Sequence, residues 1–505
     1  MAHQFLSAAL GGIDAQLVRV QIDSNPGIHA FSIVGLGDKA VQESIDRIEA
    51  AIKNSGFSAP RSKNKRFVVN LAPADIKKEG PGYDLPIAVA YLAESRQAVI
   101  AGPKTLLIGE LGLDGHLAHT NGILAATMLA KELGIEQIIV PSCNAAEASV
   151  VSGVGVIGAD TLSQVVSHLC HQVPIPVTPG DTAVAPVPND DSFLHIKGQQ
   201  TAKRALIVAA AGAHNVLMSG SPGSGKTLLA RSLAGLLPPL TSQEALEVAK
   251  IQSAAGLLRG PVSAITRPFS SPHHTASSAS IVGGGTVVRP GQVSLAHRGV
   301  LFLDELPEFA RNVLEALRQP LEDGVVSISR ASGSMTLPAK FMLVAAMNPC
   351  PCGNLGDASA ECTCSPITAL KYAKRISGPL LDRVDIRVQV SRERIDDAAS
   401  SPTDIIAARK AIVRAREAQQ ERLSPFGLVT NSEIRHTNID SLCVLTADAE
   451  NLLKMAVNRN NLSLRAYHKI KKIGRTIADL EGAQIIESHH IAEAMALRMS
   501  ERITS

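Results

Sequence analysis

The sequence contains no tryptophan, and aromatic residues make up only 3% of it. Proteins that hold nucleic acid by stacking its bases need aromatic side chains, so any contact with nucleic acid is expected to follow the phosphates instead. The net charge of +3 neither demands nor excludes such a partner. No run of about 18 apolar residues occurs, and residues 1–17 lack a basic start followed by an apolar stretch. We therefore expect neither a membrane span nor a signal peptide.

Cysteine is also scarce, with seven residues in the chain. A disulfide framework would spread its cysteines, whereas here four of them are confined to residues 350–364, which predicts a metal site in a reducing, cytoplasmic compartment. Four thiolates would complete a tetrahedral Zn²⁺ site with no open position, which is typical of a structural metal. Free core thiols or a redox pair are the alternative. The predicted ligands are Cys350, Cys352, Cys362 and Cys364.

The 505 residues suggest about three domains of roughly 100–200 residues each. Residues 1–171 have the pattern of a mixed α/β domain. Residues 172–191 hold five prolines without a helical period, which predicts a linker. Residues 192–395 alternate apolar strands with helices, as in a parallel sheet, and residues 396–505 are mostly helical by pattern. The expected fold class is α/β with a small C-terminal helical domain.

A phosphate-binding motif, G-x-x-x-x-G-K-[ST], lies between an apolar strand at Asn215–Met218 and a helix at Leu228–Leu237. Its backbone N–H groups would surround the phosphates of ATP. Lys226 would contact the β- and γ-phosphates, and Thr227 would offer its hydroxyl to Mg²⁺. A glycine-rich turn with a chance lysine is the alternative. The predicted nucleotide-binding residues are Gly220, Ser221, Pro222, Gly223, Ser224, Gly225, Lys226 and Thr227, with Ile196 and Gln199 beside the adenine.

Two further apolar strands end in polar residues. One ends at Asp304 and Glu305, for which we predict a Mg²⁺ contact and polarisation of the attacking water, respectively. The other strand, Phe341–Ala346, precedes Asn348, which would orient that water. A plain turn before Pro349 is the alternative for Asn348.

Two arginines are candidates for contacts with the phosphates. A guanidinium stabilises the charge that develops on a γ-phosphate, and Arg383 is predicted to supply one to a neighbouring subunit. Its alternative is an ion pair with Asp382 or Asp385. Arg465 is predicted to contact the nucleotide of its own subunit, the alternative being a solvated helix residue.

Several stretches of the sequence are specific enough to indicate a family, including VNLAPADIKKEGP, VSLAHRGVLFLDELPEF, AAMNPCPCG and SGPLLDRVDI. They resemble the Mg-chelatase-like AAA+ family known as YifB/ComM, and the resemblance covers nearly the whole chain. It implies a Lon-protease-like (ribosomal S5 domain 2-like) N-terminal domain, an AAA+ ATPase domain and a C-terminal helical lid. It also implies a ring, expected to be hexameric. The ComM members are DNA branch-migration helicases of natural transformation, which implies single-stranded and branched DNA as partners.

Three other segments bear on a DNA partner. Residues 324–337 have the pattern of a β-hairpin, where the resemblance implies a pore hairpin whose Ser329, Arg330 and Ser332 grip phosphates. A plain structural hairpin is the alternative. Residues 267–292 resemble an insert of the same clade, and their two adjacent histidines have no further ligand at suitable spacing. Four basic residues of the C-terminal helix are interpreted as a solvated or subunit-contact face, namely Lys469, Lys471, Lys472 and Arg475.

Two other functions are weighed against DNA translocation. A protein-remodelling ATPase of the chelatase type shares the motor motifs, so the sequence hardly separates it. An ATP-dependent protease would need a serine and a lysine in the N-terminal domain. The matching positions are Gly82 and Leu124, which can neither attack a carbonyl nor take a proton, so we expect no peptidase activity.

Overall fold

A computed structural model describes residues 3–28, 30–35, 37–62, 64–100, 104–180, 192–258, 260, 262–285, 289–330, 333–357, 360–392, 405–460 and 462–499. In this part of the chain the strands are, in order, β1 His3–Gly11, β2 Asp14–Pro26, β3 Ala30–Val34, β4 Lys65–Ala72, β5 Thr105–Leu107, β6 Glu110–Leu111, β7 Leu117–Ala118, β8 Gln137–Pro141, β9 Gly155–Ala159, β10 Val216–Ser219, β11 Phe269–Ser270, β12 Gly283–Gly284, β13 Arg289–Pro290, β14 Val300–Leu303, β15 Val325–Arg330, β16 Gly333–Pro338, β17 Met342–Met347 and β18 Ile386–Gln389.

The helices in the same part of the chain are α1 Lys39–Asn54, α2 Asp84–Glu94, α3 Ile123–Glu132, α4 Ser142–Ala148, α5 Leu162–Leu169, α6 Gln200–Gly212, α7 Lys226–Ala234, α8 Ser242–Ala255, α9 Ser278–Val282, α10 Gln292–Leu295, α11 Arg311–Ala316, α12 Arg318–Asp323, α13 Pro366–Ala373, α14 Gly378–Leu381, α15 Ile405–Leu423, α16 Ile439–Leu442, α17 Ala447–Asn460, α18 Leu464–Glu481 and α19 Ser488–Met499. Helix α18 shows how capping residues set the ends of a helix. The side chain of Ser463 accepts from the Ala466 amide at its start, and Gly482 ends it in a left-handed conformation.

The chain divides into two compact units, and the first contains residues 1–185, 241–265 and 286–290. Its sheet has the order β3-β4-β2-β1-β5-β8-β9 and is mixed, because β1, β2 and β4 pair antiparallel while the other pairs are parallel. Helix α2 is buried along nearly its whole length, which explains its continuous run of apolar residues. Helix α8 belongs to this unit although residues of the second unit flank it on both sides in sequence.

The second unit contains residues 186–240, 266–285 and 291–505. Its sheet has the order β11-β14-β17-β10-β18, and all of its pairs are parallel. The three central strands β10, β14 and β17 are buried at every position, as expected for a parallel sheet covered on both faces. The carboxyl ends of these three strands lie at one edge of the sheet, and the predicted nucleotide motifs follow them.

The mixed α/β fold and the helical C-terminal region predicted from the sequence are confirmed. The strands predicted before Asp304 and Asn348 are present, and Val325–Arg330 pairs antiparallel with Gly333–Pro338, as expected for a hairpin. Of the predicted linker, residues 174–180 lie outside helices and strands, with the Thr178 amide donating to Val156 O at 2.8 Å, and residues 181–191 lie outside the described residues.

The interpretation of the basic residues of α18 as a solvated or subunit-contact face is wrong. Lys471 and Arg475 are only 3% and 2% exposed. Lys469 forms an ion pair with Asp385 at 2.7 Å, and Arg475 forms one with Asp479 at 2.9 Å. Lys471 also forms an ion pair, with Asp440 at 2.6 Å, and buried charges of this kind persist because they are paired.

Candidate functional site

The glycine-rich motif forms a tight loop between β10 and α7. Gly223 and Gly225 have φ values of 77° and 90°, a left-handed conformation that favours glycine. A side chain at Gly220 would collide with the carbonyl oxygen of Val390, 2.1 Å from the added Cβ. These positions therefore require glycine for local geometric reasons, and the loop leads directly into the first turn of a helix, where N–H groups are free to bind an anion.

Lys226, the first residue of α7, turns its ammonium group into this loop. Its Nζ donates to the carbonyl oxygens of Gly220 and Ser221 at 2.8 and 2.9 Å. It also donates to Oδ1 of Asn348 at 3.2 Å. Burial lowers the pKa of Lys226, and the carboxylates of Asp304 and Glu305 act in the opposite direction. The structure thus brings together polar residues that end two different strands.

Thr227 and Asp304 meet in the same place. Oγ1 of Thr227 donates to Oδ2 of Asp304 at 2.7 Å, across 77 residues of sequence. A hydroxyl and a carboxylate are the hard oxygen ligands that Mg²⁺ prefers, so these two residues fit the predicted metal contact.

Glu305 follows with an unusual backbone. Its φ of 52° is a left-handed value, which is costly for a residue with a side chain and is typical of functional sites. Its Oε2 lies 3.7 Å from Nδ1 of His274, whose ring stacks on His273. Nothing local in the sequence indicates that His274 adjoins Glu305, because only the fold brings their two segments together.

Arg383 and Arg465 both contact the side chain of Glu322. The Nη2 atom of Arg383 donates to Oε2 of Glu322, and Nη1 donates to Pro379 O at 2.8 Å. Nη2 of Arg465 lies 3.6 Å from Oε1 of the same Glu322. The alternative for Arg383, an ion pair with Asp382 or Asp385, names the wrong carboxylate, because the partner is Glu322, which the sequence did not indicate.

Residues 196–199 are connected to the phosphate-binding loop through the segment that follows β18. Ile196 is buried, and Nε2 of Gln199 donates to Ser391 O at 2.5 Å. The next residue, Arg392, donates to Pro222 O of the loop at 3.0 Å. The structure therefore connects Gln199 to the loop through Ser391 and Arg392.

The four clustered cysteines come together as one group. Their ligand atoms all lie within 4.8 Å of one another, and the sulfur of Cys350 lies 3.7 Å from that of Cys362. The ligands of a tetrahedral zinc site stand about 3.8 Å apart when Zn–S is about 2.3 Å, so the cluster fits zinc. Backbone hydrogen bonding, chiefly from Asn354, lowers the pKa of Cys352 to about 5. A backbone hydrogen bond from Cys364 acts to lower the pKa of Cys362, but burial and the neighbouring thiols raise it to about 11. The fit to zinc therefore rests on the spacing of the four sulfurs.

The cysteine cluster packs against the phosphate-binding loop. Gly353, between the second and third cysteines, has a φ of 85°, and a Cβ there would lie 2.4 Å from Cδ of Pro222. Cys350 is fully buried and follows Asn348 by two residues. The cluster therefore supports both the loop and the segment that carries Asn348.

The residues predicted to contact DNA are only partly described. Ser329 and Arg330 occupy the last two positions of β15, paired in register with Ser334 and Gly333, while Ser332 lies outside the described residues. In the first unit, Gly82 lies near Thr120, and Leu124 is fully buried. None of the helices in the described part of the chain is long and apolar enough to cross a membrane.

Comparison with known proteins gives matches along most of the chain. Residues 192–398 match the family described as Magnesium chelatase, subunit ChlI; residues 20–144 match Subunit ChlI of Mg-chelatase; and residues 403–498 match Magnesium chelatase, subunit ChlI C-terminal.

Individual relatives align over nearly their whole length. The chain is 42% identical to Competence protein ComM of Haemophilus influenzae, covering 98% of this chain and 97% of that protein. It is 39% identical to YifB of Escherichia coli, covering 98% and 96%. A more distant relative is the Magnesium-chelatase 38 kDa subunit of Rhodobacter capsulatus, 24% identical over 62% of this chain and 87% of that protein. The phosphate-binding loop, its strand-end partners and these matches together show that the chain belongs to the Mg-chelatase-like AAA+ family that includes ComM and YifB.

Proposed function

We propose that this protein is a DNA-dependent ATPase that works as a hexameric ring and moves branched DNA during the recombination step of natural transformation. The observation that carries the ATPase assignment is the hydrogen bond between Thr227 and Asp304, formed beside the buried Lys226. The DNA assignment is supported by the hairpin and by the high identity to Competence protein ComM.

In this proposal the loop residues 220–227 bind the triphosphate of ATP through backbone N–H groups, and Lys226 exchanges its loop carbonyl partners for phosphate oxygens. Thr227 and Asp304 hold Mg²⁺, which when bound neutralises phosphate charge. Ile196 and Gln199 contact the adenine. Asn348, already hydrogen-bonded to Lys226, orients the attacking water.

Glu305 is proposed to accept the proton of that water. Its side chain is 54% exposed, with Nδ1 of His274 at 3.7 Å, so it can turn toward a bound nucleotide. The left-handed backbone at Glu305 directs this residue away from the line of β14.

Arg383 is proposed to stabilise the γ-phosphate of the neighbouring subunit as its charge develops. Arg465 was expected at the nucleotide of its own subunit. Because both arginines meet at the one carboxylate of Glu322, we assign Arg465 to the same phosphate group as Arg383.

Movement of DNA is assigned to the hairpin β15–β16, with Ser329, Arg330 and Ser332 contacting phosphates as ATP turns over. The cysteine cluster is proposed to bind a structural Zn²⁺ that supports the phosphate-binding loop. Metal analysis of the purified protein tests this second point: zinc is expected in the unmutated protein and is expected to be lost after Cys350→Ser with Cys352→Ser. Absence of zinc from the unmutated protein would rule it out.

The decisive experiment measures phosphate release by the full-length protein with no DNA, with single-stranded DNA and with forked DNA, together with displacement of the fork's labelled strand. We expect stimulation by DNA, and we expect Glu305→Gln to bind ATP and DNA without displacing the strand. Lys454→Ala, on an exposed ion pair of α17, is the control for nonspecific effects.

The relatedness to the Magnesium-chelatase 38 kDa subunit favours a second candidate, a protein-remodelling ATPase. ATP turnover that is indifferent to both DNA substrates would contradict our proposal and favour this alternative. Strand displacement by Glu305→Gln would contradict the role of Glu305.

A further inference from the structure

Glu322 connects the two arginines of the second unit through a single carboxylate. Each oxygen faces a different guanidinium: Oε2 accepts from Arg383, and Oε1 lies 3.6 Å from Arg465. Arg383 and Arg465 are 61 and 143 residues away from Glu322 in sequence, so the arrangement depends on the fold. A carboxylate between two guanidinium groups presents them with the same kind of oxygen acceptors that a phosphate offers.

The backbone segments that carry the two arginines are also in contact with each other. Lys469, one turn after Arg465 in α18, forms an ion pair with Asp385 at 2.7 Å and donates to Val384 O at 3.2 Å. Burial opposes ionisation of Asp385, but Lys469 and His214 hold its pKa well below the usual value. The segment that carries Arg383 and the helix that carries Arg465 are therefore fixed to each other, which keeps both arginines within reach of one carboxylate or phosphate.

Glu322 lies immediately before the hairpin. It is the penultimate residue of α12, and Gly324, with a left-handed φ of 68°, connects α12 to β15. Helix α12 contacts β15, with Nε2 of Gln319 donating to Oγ of Ser327 at 3.5 Å. The backbone of Glu322 is part of α12. Its side chain is 52% exposed, so the carboxylate can leave its arginine partners without unfolding the helix.

We propose that Glu322 is a positioning residue that holds Arg383 and Arg465 when they have no phosphate to bind, and that a triphosphate competes with it for both. This inference rests on the proposed function of the arginines. When the arginines leave Glu322 for the phosphate, α12 loses its attachment to them, and the hairpin it precedes is released. Glu322 thereby makes the hairpin respond to the nucleotide.

The test is steady-state ATP hydrolysis by the full-length protein without DNA, for Glu322→Gln and the wild type. Glutamine keeps the shape but removes the charge that competes with phosphate, so KM for ATP is expected to fall by about fivefold, the size that a partly exposed ion pair allows. The kcat without DNA is expected to rise or stay level. Glu322→Asp, which keeps a carboxylate, is expected to remain closer to the wild type.

Two controls connect the effect to the arginines. Glu450→Gln removes a comparable exposed carboxylate paired with Lys454 and is expected to change nothing. In an Arg383→Ala, Arg465→Ala background, Glu322→Gln is expected to have lost its effect on the binding of ATP, measured directly by calorimetry because turnover in that background is low.

An unchanged KM in Glu322→Gln, or a fall in kcat at constant KM, would overturn the proposal, as would an effect on binding that persists without the arginines. Thermal unfolding of each variant shows whether a fall in kcat reflects misfolding, and Glu322→Asp then decides the matter. All of these measurements omit DNA, so a failure of the DNA role, seen as lack of stimulation in the wild type, is a separate result.

Discussion

Buried lysines occur in both compact units, and the surroundings of Lys78 and Lys226 differ. Lys78 of the first unit is fully buried, and its Nζ donates to Pro73 O. Lys226 of the second unit is 8% exposed and donates to two loop carbonyls and to Asn348, beside the Thr227–Asp304 pair. Both units are α/β, so fold class alone does not distinguish them. What distinguishes them is that in the second unit the polar residues converge at strand ends beside a glycine loop.

Buried carboxylates show the same contrast. In the first unit, Oε1 of Glu147 accepts from the Leu124 amide at 2.9 Å and from Ser253 Oγ, and Oε2 accepts from Asn144 at 3.1 Å. This carboxylate is occupied on both oxygens by neighbouring donors, as in a structural hydrogen-bond network. Glu305 in the second unit is 54% exposed beside a single histidine. Satisfied polar groups stabilise a fold, whereas accessible ones are available for chemistry.

The sharpest test of this contrast exchanges the two lysines for smaller residues. Lys226→Ala is expected to lower ATP turnover by about 100-fold to 1,000-fold, because it removes a charge that acts on the phosphates as negative charge develops. Lys78→Ala is expected to lower the melting temperature while turnover per folded molecule stays near the wild-type value. Phosphate release and thermal unfolding are measured on both. Full turnover by Lys226→Ala would end the distinction and the ATPase assignment with it.

A second test concerns Glu147. Glu147→Ala leaves the Leu124 amide and the Ser253 hydroxyl without their acceptor, at about 1–3 kcal/mol for each unsatisfied group, while Asn144 keeps its bond to Thr120 O. We expect faster hydrogen exchange in α3 and α8, which lie in the same unit, with little change in the strands that end at Asp304 and Asn348. Glu136→Ala is the matched control, since Glu136 forms an exposed pair with Lys104. Equal exchange in the two variants would show that the network does not stabilise the first unit.

The smallest expected effect comes from two glycines of the cysteine segment. Gly353 and Gly356 both have left-handed backbones, but only Gly353 lies against Pro222. A Cβ added at Gly356 would have Nε2 of Gln389, at 4.0 Å, as its nearest atom. Alanine strains the backbone equally at both positions, so their difference isolates the contact with the phosphate-binding loop. Gly353→Ala is expected to raise KM for ATP about tenfold, in line with the cost of overpacking. An equal KM in both variants would separate the cysteine cluster from ATP binding.

Much of the second unit was predictable because its signals are local. The loop 220–227, the apolar strands before Asp304 and Asn348, and the hairpin each follow from residues that are neighbours in sequence. The helical C-terminal region was also predictable, because apolar residues recur there at helical spacing, as in α18 at Leu464–Glu481. The basic residues of α18 were wrongly predicted to be solvated or at a subunit contact, because a lysine in an amphipathic helix is usually solvated. Nothing near Lys469 in the sequence indicates its ion pair with Asp385.

The sequence by itself determined which residue types stand at the strand ends and which local elements present them, because periodicity and turn residues act over a few positions. The tertiary structure alone decided that Glu322 meets Arg383 and Arg465, that His274 adjoins Glu305, and that α8 joins the first unit. Such pairings depend on how distant elements pack and which loops close between them, and no short stretch of sequence encodes that.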